Sequence, residues 1–95
     1  MNKIKRQTVE ELLQAEELYN EEHKRDNTSE EFKNVSSILW NLHVTLDVET
    51  DKPDSEKRRL VWFVIDMAKS FARAKLSISR LLKCLEVCGI EVVEE

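Results

Sequence analysis

Apolar residues recur at three- and four-residue spacing along three stretches of the chain, a pattern typical of amphipathic helices. The first stretch predicts a helix over about 8–25, where Thr8 and Glu11 form a capping box. The second predicts a helix over about 29–48, after the same start signal at Thr28. The core-facing residues of this second helix are Phe32, Val35, Leu39, Leu42 and Leu46, with Ile38 and Trp40 widening the face.

The longest apolar repeat runs from Ser55 to Cys88 and predicts one helix of 34 residues, about 50 Å long. Gly89 ends it, and Ile90 is placed for the apolar contact of a helix cap. The repeat keeps its phase across Ser77, which favours a continuous helix over a break there. Its members are Leu60, Val64, Met67, Phe71, Ala74, Ile78, Leu81, Leu85 and Cys88.

These elements predict a single all-α domain over residues 1–95, with a helical hairpin packed on one long C-terminal helix. The hairpin is too short to cover the far half of that helix. A second copy of the chain could cover it as a dimer, or a different protein could dock there. The third possibility is a break near Ser77, which gives a compact four-helix bundle. The tail 90–95 alternates too briefly to assign.

The composition is typical of a helical protein, and the charged residues are distributed unevenly along the chain. The chain is 41% hydrophobic and 36% charged, with one glycine and one proline. The net charge of −4 combines a segment 8–56 of net −10 with a segment 57–83 of net +7, which we interpret as an acidic layer packed on a basic helix. We expect a cytoplasmic location, because the N-terminus lacks a signal-peptide pattern and no apolar run is long enough for a membrane span.

Few residues suit catalysis or metal binding. We expect His23 to be solvated and His43 to lie at the edge of the core. Cys84 and Cys88 are interpreted as core cysteines, because the second ligand pair of a structural zinc site is missing. The sequence therefore predicts no catalytic residue, metal or cofactor, and we expect a protein that is not an enzyme.

Adjacent glutamates supply the enzyme alternative. The segment from Glu30 to Leu42 resembles a helix of the all-α nucleoside-triphosphate pyrophosphohydrolases, which use a Glu-Glu-x-x-Glu run and a later Glu-x-x-Asp. The resemblance implies a metal-dependent nucleotide hydrolase. This chain departs from the pattern at the third acid of every run, so the alternative is a degenerate hydrolase. The residues at that position are Gln14, Asn20, Arg25 and Asn34.

A second similarity concerns the small helical immunity proteins that protect bacteria from their own bacteriocins. The segment Glu17–Asn20 followed by the helix around Arg59–Phe63 is similar to theirs in order and spacing. The similarity covers about half of the chain and includes no diagnostic motif. It implies a protein that binds and inhibits another protein.

One face of the third helix is the candidate partner surface. Apolar groups interleaved with arginine and lysine are typical of protein-binding hot spots. A central helix that packs on both sides shows the same pattern. The residues of this face are Trp62, Ile65, Lys69, Arg73, Leu76, Arg80, Lys83 and Val87.

A candidate second contact with the partner is formed by Lys57, Arg58 and Arg59. Three cations in the first turn of a helix oppose the helix dipole, so they depart from the usual pattern of a helix start. We favour their pairing with the acidic helices.

The resulting hypothesis is an inhibitor, immunity or adaptor protein that binds a protein partner or itself. The nucleic-acid alternatives are a basic arc that binds phosphates and an acidic face that mimics DNA.

Overall fold

Four helices and two short strands form residues 1–94, the part of the chain that the computed structural model describes. The mostly helical prediction is confirmed, whereas the strands were not predicted. In chain order the elements are β1 (Asn2–Lys5), α1 (Arg6–Asp26), α2 (Glu30–Thr45), α3 (Asp54–Ala74), α4 (Ile78–Val87) and β2 (Ile90–Val93).

Helix α1 is the central helix, because α2 and α3 both pack on it more extensively than on each other. Val9 and Leu12 of α1 are fully buried and lie one turn apart on the predicted apolar stripe. Leu39 of α2 and Val64 of α3 belong to the same buried cluster. Two helices that share a neighbour without packing closely on each other leave a cleft between them.

The predicted long C-terminal helix is wrong, because the chain leaves the helical conformation between α3 and α4. Lys75 adopts a left-handed conformation with φ of 56°, and its backbone N–H donates to the carbonyl of Ala72. Ser77 then caps α4 by accepting a hydrogen bond from the backbone N–H of Arg80 at 3.3 Å. The alternative with a fourth helix capped by Ser77 is therefore the one observed.

The apolar repeat crosses this break in phase because both helices face the same core. Phe71 of α3 packs against the buried cluster, and Leu81 and Leu85 of α4 are fully buried within it. The spacing of apolar residues therefore indicates which residues face the core. It does not indicate whether the backbone between them is helical.

The two ends of the chain meet in a parallel two-stranded sheet, with Asn2 opposite Ile90. The connection between α2 and α3 joins the other edge of β1, where the backbone N–H groups of Lys3 and Glu49 each donate to the other residue's carbonyl at 2.8 Å. Val48 beside this bridge is fully buried. The unassigned C-terminal tail is therefore mainly β2, and residue 95 lies outside the described residues.

Local hydrogen bonds place the helix ends differently from the prediction. α1 begins two residues before Thr8, so Thr8 lies inside the helix and does not cap it. The cap of α2 is Ser29, whose hydroxyl accepts from the backbone N–H of Phe32 at 3.1 Å. The hydroxyl of Thr28 donates instead to the Asp26 carboxylate at 2.6 Å, and this bond lowers the pKa of Asp26. α2 also ends three residues earlier than predicted.

Replacing the cap at the helix break tests this account of α4. We expect Ser77→Ala to lower the free energy of unfolding by about 1 kcal/mol, because the backbone N–H of Arg80 loses its partner. Ser79 is exposed in the first turn of the same helix, so Ser79→Ala is the matched control and should have little effect. Urea denaturation followed by circular dichroism measures both. Equal losses in the two variants would contradict a capping role for Ser77.

Candidate functional site

A cleft of about 390 Å³ opens between α2 and α3, with α1 as its floor. All three helices contribute polar side chains to it, which distinguishes it from a gap in an apolar core. Its lining residues are Glu16, Tyr19 and Asn20 of α1, Ser36, Leu39, Trp40 and His43 of α2, and Lys69 and Arg73 of α3.

A buried contact between Glu16 and His43 joins α1 to α2 in this cleft. The carboxylate Oε2 of Glu16 lies 2.8 Å from Nε2 of His43, and the two side chains are only 4% and 9% exposed. Glu16 lies one turn after Leu12, and His43 one turn after Leu39, so both occupy core-facing positions of their helices. A polar group at such a position is costly without a partner, and each of these residues provides the other's partner.

The wall of the cleft formed by α3 carries two cations. Lys69 and Arg73 lie one turn apart, with Lys69 half-buried and Arg73 exposed. Neither has an acid within ion-pair distance among residues 1–94. Neither cation is therefore ion-paired in the described part of the protein, and both face the buried carboxylate of Glu16 across the cleft.

One tryptophan lines the cleft and a second lies beside it, and both have exposed surface. Trp40 lines it and is 65% exposed, and Trp62 is 47% exposed. The Trp62 ring packs edge-on against His43, with the ring centroids 6.3 Å apart. Ser36 also lines the cleft, and its Oγ atom is buried without a hydrogen-bond partner in the described structure. The cleft thus combines exposed aromatic surface with polar groups that lack partners.

The structure brings together only part of the predicted partner face. Lys69 and Arg73 line the cleft, and Trp62 lies beside it against His43. Ile65 is fully buried, so its assignment to a free surface is wrong. It lies on the side of α3 that packs in the core, next to the buried Val64. Leu76 is half-buried and lies in the turn after α3.

The three remaining residues of that face belong to α4. Arg80, Lys83 and Val87 are exposed, and none of them lines this cleft. Their predicted alignment with Lys69 and Arg73 assumed an unbroken helix. The left-handed residue Lys75 ends that helix and removes the basis for a continuous arc.

The predicted second contact is divided between two places. Nζ of Lys57 lies 2.8 Å from Oδ1 of Asp47, just after α2, and this contact raises the pKa of Lys57. Arg58 is exposed. Arg59 lines a second, more apolar cleft of about 550 Å³ together with Phe63 and other residues. The expected pairing with acidic residues thus occurs for Lys57.

Sequence reasoning missed several residues of the site. His43 lies at the edge of the core as expected, with its side chain 9% exposed, but its contact with Glu16 was not predicted. Trp40 was assigned to the core face of the second helix and is instead exposed, as is Ile38. The available signal was a glutamate and a histidine at positions where the helical repeat calls for apolar residues. Such local departures from the pattern often mark functional sites.

The cysteines and acid pairs form no metal centre in the described part of the chain. Cys84 is half-buried and Cys88 is exposed, so the prediction of two core cysteines is wrong for Cys88. Within residues 1–94, no group of three or more histidine, cysteine, aspartate or glutamate side chains is placed to hold a metal ion.

Comparison with known proteins finds no matching family model, no matching curated protein and no matching solved structure. None of the helices in residues 1–94 combines the length and apolar character needed to cross a membrane.

Breaking the buried pair tests its contribution to the cleft. We expect His43→Ala to lower the free energy of unfolding by about 2–3 kcal/mol, because the Glu16 carboxylate remains buried without its partner. His43→Gln, which keeps a hydrogen-bond donor, should lose less. Urea denaturation provides the measurement.

The exposed ion pair between Lys33 and Glu30 is the matched control, with a separation of 3.7 Å on the surface of α2. Lys33→Ala should change stability much less than His43→Ala, because solvent screens an exposed pair. If the two variants were equally stable, the pair of Glu16 and His43 would not be a structural link between α1 and α2.

Proposed function

We propose that this chain is a small protein-interaction module, of inhibitor, immunity or adaptor type, that binds a protein partner at the cleft between α2 and α3. The observation that supports this proposal is the combination of exposed aromatic rings and cations at the cleft. Trp40 is exposed in the cleft and Trp62 beside it, and Lys69 and Arg73 have no acid partner in the described structure. Tryptophan and arginine are the residues most enriched in the energetic centres of protein interfaces.

The cleft also offers both apolar and charged surface to a protein partner. Indole rings offer large apolar area, and the cations at the α3 wall offer specific polar contacts. The buried link between Glu16 and His43 supports this arrangement by holding α2 on α1. A preorganised surface loses less conformational entropy on binding than a flexible one.

We further propose that the module acts in the cytoplasm, where its free cysteines Cys84 and Cys88 would stay reduced. The proposed surface is smaller than the face predicted for one long C-terminal helix. It keeps Trp62, Lys69 and Arg73 as contact residues and adds Trp40 and His43. The cations of α4 are not part of it.

Charge reversal at the cleft tests the proposed surface. We expect the double variant Lys69→Glu, Arg73→Glu to lose a partner that the wild type captures from native cell lysate, since two attractive charges become repulsive. Isothermal titration with the purified partner should then give a defined stoichiometry for the wild type and a loss of at least about ten-fold in affinity for the variant.

The matched control is Arg80→Glu, Lys83→Glu, which makes the same change in net charge on α4. It should retain the partner, and circular dichroism should show that both double variants are folded. Equal loss in both variants would indicate a non-specific charge effect. Self-association alone, or loss only in the α4 variant, would contradict the proposed surface.

A further inference from the structure

We infer that the cleft recognises a carboxylate side chain of an acidic, partly apolar peptide segment in its partner. The inference rests on the proposed function, and it names the chemical group that the surface selects. It is supported by the charged side chains of the cleft and by its hydrogen-bond donors that have no partner in the described structure.

The charge of the cleft matches a single negative group. Lys69 and Arg73 contribute +2 and Glu16 contributes −1, so the lining carries +1 when the His43 imidazole is neutral. One carboxylate balances that charge. A phosphate with nearly two negative charges would exceed it and would also be repelled by the buried Glu16 carboxylate.

Donors for the two carboxylate oxygens are available on both walls. The guanidinium of Arg73 presents a planar fork of N–H groups that suits a carboxylate, and the ammonium of Lys69 adds a second charged donor. Across the cleft, the Ser36 hydroxyl is buried with no partner in the described structure. A buried hydroxyl without a partner is rare, and rotation of the Ser36 side chain toward the cleft would let it donate to a ligand oxygen there.

The aromatic groups favour a peptide over a free acid. Trp40 exposes ring surface within the cleft and Trp62 beside its His43 end, and a small acid that filled only the polar part would leave both rings in water. Apolar residues on either side of an acidic residue would cover them. The volume of about 390 Å³ exceeds that of one carboxylate side chain, so it leaves room for these neighbours.

The test is a titration of the ¹⁵N-labelled 95-residue protein with three capped peptides, followed by the indole N–H signals of Trp40 and Trp62. The peptides share the sequence Gly-Leu-Ala-X-Ala-Leu-Gly, with glutamate, glutamine or phosphoserine at X. We expect the glutamate peptide to shift both indole signals and to bind about ten-fold more tightly than the glutamine peptide, because charge-assisted hydrogen bonds are lost with the amide. The phosphoserine peptide should bind more weakly than the glutamate peptide.

Two variants in the cleft and one control on α4 test which residues give the selectivity. Arg73→Gln should remove most of the preference for glutamate over glutamine, whereas Arg80→Gln on α4 should preserve it. Ser36→Ala should weaken the glutamate peptide by a few-fold and leave the glutamine peptide almost unchanged, an effect that a purely structural role of Ser36 would not produce.

Several outcomes would overturn the inference. Equal binding of the glutamate and glutamine peptides would show apolar docking without carboxylate recognition, and tighter phosphoserine binding would show a phosphate site. No indole shift with any peptide would mean that the cleft does not select an acidic side chain. Concentration-dependent shifts without peptide would assign the cleft to a second copy of the chain.

These outcomes are separable from failure of the proposed function. A captured partner that keeps its affinity after its acidic contact residues are changed to amides would leave the interaction module standing and reject carboxylate recognition. Selective glutamate binding without any captured protein would support the site and reject the interaction module.

Discussion

The buried contact between Glu16 and His43 is the constraint on which the candidate site depends. Both residues occupy core-facing positions where an apolar pair would ordinarily pack, and their 2.8 Å contact gives each a partner away from water. The contact fixes α2 on α1 at the floor of the cleft. Because α3 packs on the same central helix, its cations Lys69 and Arg73 face this floor, and the cleft gains charged groups that the core does not neutralise.

Backbone pairing at the chain ends holds the connection that leads into α3. β1 lies between β2 and the bridge at Glu49, so three separate parts of the sequence are joined in one place. The contact between Lys57 and Asp47 adds a link between the first turn of α3 and the segment after α2. The relative placement of α2 and α3 is thus set by their common packing on α1 and by this anchored connection.

Helical periodicity predicted the mostly helical fold because core-facing residues recur once per turn whatever the tertiary arrangement. It located a candidate break near Ser77 but favoured a continuous helix, since α3 and α4 face the same core and Lys75 gives no signal for a left-handed conformation. The strands escaped prediction because each has only four residues and pairs with a distant part of the chain. Trp62, Lys69 and Arg73 were identified from one helix face, whereas Glu16 and His43 required knowledge of which helices meet.

The most direct test of the cleft as the proposed binding surface is hydroxyl-radical footprinting of the protein alone and in complex with a captured partner, read residue by residue by mass spectrometry. Trp40, Trp62 and Val87 are all exposed in the isolated chain, and Val87 lies on α4 away from the cleft lining. The account predicts that oxidation of both tryptophans falls in the complex while oxidation of Val87 is unchanged. Protection of Val87 with both tryptophans still reactive would contradict it.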